Sequence, residues 1–178
     1  MKGVKKKLPC IVLFLCAYGL AQAQSKPDPE AKLKEMGIVL KTPAKPVANY
    51  VGAVTSGKLI FLSGAGPRQA DGSFVQGKVG SAISIEQAQA AAKLTGIVLL
   101  EALKAEIGDL KKVKRIVKVL GMVNAIPSFT QQPQVMNGFS DFMVEVFGEK
   151  GKHARSAVGV GSLPSDIPVE IEMIVEVY

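Results

Sequence analysis

The chain has 178 residues, 48% of them hydrophobic, with 22 Lys and Arg against 15 Asp and Glu. That length supports one hydrophobic core of ordinary size. A single histidine (His153), two cysteines and no tryptophan exclude a His-rich or Cys-rich zinc centre. In chain order, the first element is a leader. Lys2, Lys5, Lys6 and Lys7 precede an apolar run from Leu8 to Leu20, and Ala21-Gln22-Ala23 follows. This three-part layout predicts a secretory signal peptide over 1–23, cleaved after Ala23. The apolar run is short of the roughly 20 residues of a membrane-spanning helix, and bulky Leu15 before Cys16 argues against a lipoprotein leader. The expected product is exported, with no stable membrane anchor after cleavage. It would be periplasmic where the cell has an outer membrane and secreted otherwise. Both cysteines, Cys10 and Cys16, leave with the leader, so the mature chain would hold no disulfide and no thiol nucleophile. Four of the basic residues and none of the acidic ones leave as well, so the net charge drops from +7 to about +3. That balance makes no strong case for nucleic acid, whose phosphate backbone usually needs a concentrated basic face.

Residues 24–47 read as an exposed lead-in. Pro27, Pro29, Pro43 and Pro46 punctuate it, and a short helix over Glu30–Met36 ends at Gly37. The domain proper is expected over 48–178. Val51–Thr55 and Leu59–Ser63 read as strands joined at Ser56-Gly57, and Phe74-Val75 as a further short strand. Ser84 and Gln87 have capping-box spacing and open a long helix marked by Ile85, Ala88, Ala92, Leu99 and Leu103, with Gly108 as its stop. Val113–Val123 is rich in β-branched residues and reads as a strand. Apolar residues from Val135 to Phe147 repeat at helical spacing. Arg155–Gly161 and Val169–Val177 are the last strands. Two helices and several strands predict an α+β domain with one helical layer on a mostly antiparallel sheet. In the last strand, Val169, Ile171, Met173, Val175 and Val177 share the face turned to the helices, while Glu170, Glu172, Ile174, Glu176 and Tyr178 share the other. The face away from the helices therefore mixes small, apolar and charged residues, as a surface covered by a partner subunit does.

Arg155 stands in an otherwise small and apolar run, His153-Ala154-Arg155-Ser156-Ala157-Val158-Gly159-Val160. A guanidinium there needs a carboxylate. Two readings stand on residue types alone: an internal ion pair with Glu170, and two-point binding of a small organic acid. His153 reads as a loop residue on the surface, Glu172 and Glu176 as solvent or interface charges. Lys111, Lys112, Lys114, Arg115 and Lys118 read as a solvated strand entrance.

Ala154-Arg155-Ser156, Leu163-Pro164 and Val169-Glu170-Ile171-Glu172, in that order, resemble the C-terminal motif of the RidA (YjgF) family. Phe61-Leu62-Ser63-Gly64, Asn49-Tyr50 and Met136-Asn137-Gly138 resemble the family's second-strand motif, early tyrosine and start of the second helix. The resemblance spans about Ala48 to Tyr178 and is to a divergent branch. It implies a chorismate-mutase-like fold, a homotrimer with pockets between subunits, and no cofactor. It implies hydrolysis of reactive enamines and imines, such as 2-aminoacrylate and 2-iminopropionate, to 2-keto acids and ammonia. On the matching positions, Arg155 would hold the substrate carboxylate and Glu170 would orient or activate water. Tyr50, Ser63, Gly64 and Asn137 would shape the pocket. The chain departs from the family pattern at Ala157, where a cysteine is frequent, and at Ala65, where a glutamine often follows the Ser-Gly pair. Non-catalytic carboxylate or partner binding, and ribonuclease activity, are the other functions the resemblance leaves open.

Overall fold

The computed structural model describes residues 28–43 and 48–178, together with Gly3. The expected signal peptide lies outside the described residues. Among those described, no helix is long and apolar enough to cross a membrane.

The first helix, α1 (Pro29–Glu35), is capped by Asp28, whose side chain accepts from the Ala31 N–H. It is not merely an exposed lead-in. Leu33 is 2% exposed and belongs to the main core. Glu30 pairs with Lys104, and Asp28 with Lys111. The apolar side of so short a helix is stable only against the rest of the domain, so the packed unit begins well before residue 48.

Strands β1 (Ala53–Ser56) and β2 (Leu59–Ala65) form a hairpin. The long helix α2 (Ile85–Ile107) starts at Ser84 with both halves of the expected capping box and ends at Gly108, whose φ of 82° suits glycine. Then come β3 (Val113–Asn124), α3 (Gln132–Phe147), β4 (Ala154–Val160) and β5 (Val169–Val177). Phe74 contributes only an isolated bridge to Arg68 rather than a strand.

The sheet order is β1-β2-β5-β3-β4. Every pair is antiparallel except β3 and β4. These two are joined through α3, and a crossover helix between neighbouring strands makes them parallel. The last strand inserts between β2 and β3, so the C-terminal motif occupies the middle of the sheet. Its alternation is as expected: Val169, Ile171, Met173 and Val175 are buried under the helices. The helical layer packs closely. A β-carbon on Gly138 would lie 2.8 Å from Gln89 Cα and 2.7 Å from its carbonyl carbon, so α2 and α3 can cross here only with glycine. On the opposite face the sheet carries Phe61, Val54 and Val158, which are 42%, 53% and 42% exposed.

Candidate functional site

Arg155 belongs to the edge strand β4, opposite Val119 of β3, which in turn lies opposite Met173 of β5. Opposed residues in a ladder share a face. Arg155 therefore points to the helical side, and because β4 is an edge strand its side chain reaches the rim of α3. Its Nη1 donates to Asn137 Oδ1 (3.1 Å) and Ser140 Oγ (2.9 Å), and its Nη2 donates to the Pro133 carbonyl (3.2 Å). Positions 133, 137 and 140 fall on one face of α3, at helical spacing. All three acceptors are neutral. A guanidinium has five N–H groups, and two of them, one on Nε and one on Nη2, have no hydrogen-bond partner among the described residues. None of the ion pairs among those residues involves Arg155.

Ser140 also contacts His153, with Oγ 3.0 Å from Nε2, while His153 Nδ1 lies 2.7 Å from the Gly151 carbonyl oxygen. The imidazole packs edge-on against Phe139. It is half-buried, not the surface residue expected from its place in the sequence. Burial pushes its pKa below the ordinary 6.5; the Gly151 carbonyl acts against this shift and the Arg155 charge adds to it.

Glu170 occupies a different environment. It pairs with Met122 of β3, which pairs with Val158 of β4, on the face away from the helices. In β2 the register shifts between Leu62, opposite Met173, and Ala65, opposite Ile171. Ser63 and Gly64 therefore face one residue, a bulge of the kind that re-aims side chains. The Glu170 carboxylate fills the space a side chain on Gly64 would occupy: a β-carbon there would lie 3.1 Å from Glu170 Cδ and closer still to Oε1. Burial raises the Glu170 pKa above the ordinary 4.5, and repulsion from Glu172 adds to the shift. Ser63 Oγ donates to the Val51 carbonyl at 2.6 Å, and Tyr50 is 59% exposed. Beside these residues, Val54, Phe61, Ser63, Lys118, Leu120 and Glu172 line an open depression of about 280 Å³.

The structure thus brings the sequence-predicted residues together in two groups. Arg155 and Asn137 form one, on the rim of α3. Ser63, Gly64 and Glu170 form the other, at the β2 bulge. The internal Arg155–Glu170 ion pair that residue types suggest is not formed. The two side chains leave opposite faces of the sheet, two strands and three ladder positions apart, or about 14 Å between Cα atoms at standard sheet spacings. Ser140, His153 and the Pro133 carbonyl are additions to the site. The signal for Ser140 was its position three residues after Asn137 on a helix.

The fold and the two groups define an α+β domain of chorismate-mutase-like architecture, with an edge-strand arginine that has no carboxylate partner among the described residues. Comparison with known proteins carries this further. The family described as "YjgF/chorismate mutase-like, putative endoribonuclease" matches residues 30–174, and the chain belongs to it. The protein TCP17 of Trypanosoma cruzi is 42% identical over 147 residues, covering 82% of this chain and 92% of TCP17. The crystal structure of Atu1372 from Agrobacterium tumefaciens, a protein of unknown function, is 41% identical with a TM-score of 0.76. It covers 84% of this chain and 91% of that one. A Shewanella oneidensis structure under the same endoribonuclease description is 27% identical with a TM-score of 0.80, covering 84% of this chain and 99% of that one.

Proposed function

We propose that this protein hydrolyses reactive 2-enamine and 2-imine acids to 2-keto acids and ammonia, in pockets completed by a neighbouring copy of the chain. The observation that carries this reading is the state of Arg155. Three neutral acceptors hold its guanidinium, no carboxylate among the described residues pairs with it, and two N–H groups without a partner there would grip a carboxylate in two-point fashion.

An imine carbon next to a carboxylate is already electrophilic once its nitrogen is protonated. Catalysis then needs orientation and one proton carrier. Arg155 fixes the carboxylate end. Glu170, whose pKa is raised by burial, takes a proton from water as the water oxygen bonds to the imine carbon. It returns the proton to nitrogen, and as the C–N bond of the carbinolamine breaks and ammonia leaves it takes the hydroxyl proton, which replaces the one that activated the imine nitrogen. The balance is imino acid plus water giving keto acid plus ammonia. An enamine first takes a proton at carbon to become the imine.

Homotrimeric assembly would solve the geometric problem. Within one chain the two groups face apart, and the open sheet face shows Phe61, Val54 and Val158 to solvent. Covering that face with neighbouring copies would bury apolar area, and the reading requires that the edge strand and α3 rim of one copy bring its Arg155 to Glu170 of another. The reading further takes residues 1–23 as a cleaved export signal, on the layout of Lys2 to Ala23. Mass spectrometry of the protein recovered outside the cytoplasm tests this; an N-terminus still at Met1 refutes it.

The ribonuclease reading in the family's description has less support here. Four of the five residues of the basic cluster are engaged: Lys111 pairs with Asp28 and Lys114 with Glu176, while Lys112 and Lys118 donate to the Ile107 carbonyl and Ser156 Oγ. The deciding experiment generates 2-iminopropionate with an amino-acid oxidase and follows keto-acid release. Acceleration by wild type, lost in Arg155→Ala with the trimer intact by light scattering, supports the proposal. No acceleration by a trimeric wild type that still takes up a carboxylic acid assigns the site to binding alone.

A further inference from the structure

Ser140 and His153 stand beside Arg155, and their hydrogen bonds have a direction. The Gly151 carbonyl oxygen can only accept, so His153 Nδ1, 2.7 Å away, carries a proton. In a neutral imidazole Nε2 is then an acceptor. Ser140 Oγ, at 3.0 Å, must donate its hydroxyl proton to it. That leaves the lone pairs of Oγ for Arg155, whose Nη1 donates to the same oxygen at 2.9 Å. The polarity runs one way, from the Arg155 guanidinium through the Ser140 hydroxyl to the imidazole and on to the Gly151 carbonyl.

We infer that His153 is a positioning residue for Arg155: through Ser140 it holds the guanidinium so that its Nε edge stays open to a carboxylate. The inference rests on the carboxylate-binding reading above and deepens it. Both ends of the link are held. Ser140 lies on α3, and the His153 ring packs T-shaped on Phe139 of the same helix, 5.9 Å between centroids, and is tied to the turn at Gly151. The relay requires the neutral imidazole, because a proton on Nε2 would compete with Arg155 for the same oxygen. Burial, which lowers the His153 pKa, keeps it neutral at pH 7. Arg155 is the charged group that acts on His153 among the described residues. Helix α3 presents the neutral Phe139 and Ser140, Lys150 is turned to the Val113 carbonyl, and Lys152 to Glu149.

His153 is the only histidine, and Arg68, Arg115 and Arg155 are the only arginines. Nitrogen-15 NMR at pH 7.5 therefore reads the relay directly, with the Arg155 Nε–H signal assigned by its loss in Arg155→Lys. The wild-type imidazole is expected in the Nδ1–H tautomer, and the Arg155 signal narrow and slow to exchange. His153→Leu removes the acceptor at similar volume, so the Arg155 signal should broaden. Pyruvate, the probe ligand, should then bind about tenfold more weakly. His153→Gln returns an acceptor near Nε2 and should restore most of both. Ser140→Ala breaks the same relay from the helix side, and answers the question if His153→Leu fails to fold. An Nε2–H tautomer in the wild type overturns the inference. So does an Arg155 signal in His153→Leu and Ser140→Ala indistinguishable from wild type. A wild type that takes up no pyruvate refutes the carboxylate reading instead, and the NMR arm still decides the relay.

Discussion

Gly64→Ala separates the fold from the chemistry. The added methyl would fall on the Glu170 carboxylate, 3.1 Å from Cδ and nearer to Oε1. The obstructing atoms are the far end of a flexible side chain. The carboxylate can therefore retreat by about 1 Å to ordinary contact distance, at a stability cost of roughly 1 kcal/mol, the low end for overpacking. Catalysis has less tolerance. A misplacement of about 1 Å in a reacting group costs on the order of 100-fold in rate. Arg155 lies on the other face of the sheet and is untouched, so the loss should fall on kcat with KM nearly unchanged. The assay is keto-acid release from 2-iminopropionate over a range of concentrations, beside a thermal melt of the same preparation. A Gly64→Ala protein with wild-type kcat would refute Glu170 as the proton carrier. A fall in rate no larger than the fraction of protein unfolded at the assay temperature would show that the glycine serves the fold alone.

Four further outcomes are expected. Glu170→Gln should abolish turnover yet raise the melting temperature at pH 7. The folded pKa of Glu170 is raised by burial, so above the ordinary 4.5 its ionised form favours the unfolded chain, a penalty that the neutral amide escapes. The gain should vanish in melts below pH 4.5. For His153 the sign is opposite. Its folded pKa is lowered, so stability is lost as pH falls from 6.5 towards that value, and melts of His153→Gln should decline less across this window. Glu101→Ala removes a 5%-exposed carboxylate that accepts from Arg68 Nη2 at 2.8 Å and from the Lys41 N–H at 3.0 Å. Because Arg68 keeps some solvent, urea denaturation should show a loss of about 2 kcal/mol, below the full cost for a buried pair. Gly138→Ala should cost about 3 kcal/mol or prevent folding, because its methyl meets the rigid Gln89 backbone; soluble, wild-type-like protein would contradict the close helix crossing.

Much of the architecture was legible because local chemistry and tertiary packing agree. The Ser84–Gln87 capping box and the apolar stripe up to Gly108 give α2 within a residue at each end. The period-two pattern from Val169 to Val177 places β5 and its buried face. The insertion of β5 between β2 and β3 was not legible, since strand order depends on which long-range pairings bury the most surface, and alternation is silent on that. Neither was the anchoring of α1. Its one deeply buried leucine, Leu33, forms no stripe, and its neighbouring prolines read as loop. At the candidate site, side-chain type and motif order singled out Arg155, Glu170, Ser63, Gly64 and Asn137. They could not reveal that opposite faces carry the two charges, because the face of Arg155 depends on the register of β4 against β3. Ser140 escaped notice because a serine in mid-helix is ordinary until its partners are known.

The separation of Arg155 from Glu170 is itself an argument about function. Had the two paired within the chain, each would have disabled the other. A carboxylate on the guanidinium would occupy the donors that a substrate needs, and the guanidinium would lower the Glu170 pKa and weaken it as a proton carrier. Instead Arg155 is cradled by the neutral Asn137, Ser140 and Pro133 groups, and Glu170 is held by burial and by Glu172 with its pKa above the ordinary value. Among the described residues neither group has an oppositely charged partner: Arg155 lacks a carboxylate, and the ionised Glu170 is disfavoured by burial. A bound carboxylate relieves the first, and a proton arriving from water relieves the second. The proposed reaction supplies both, which a purely structural ion pair would never require.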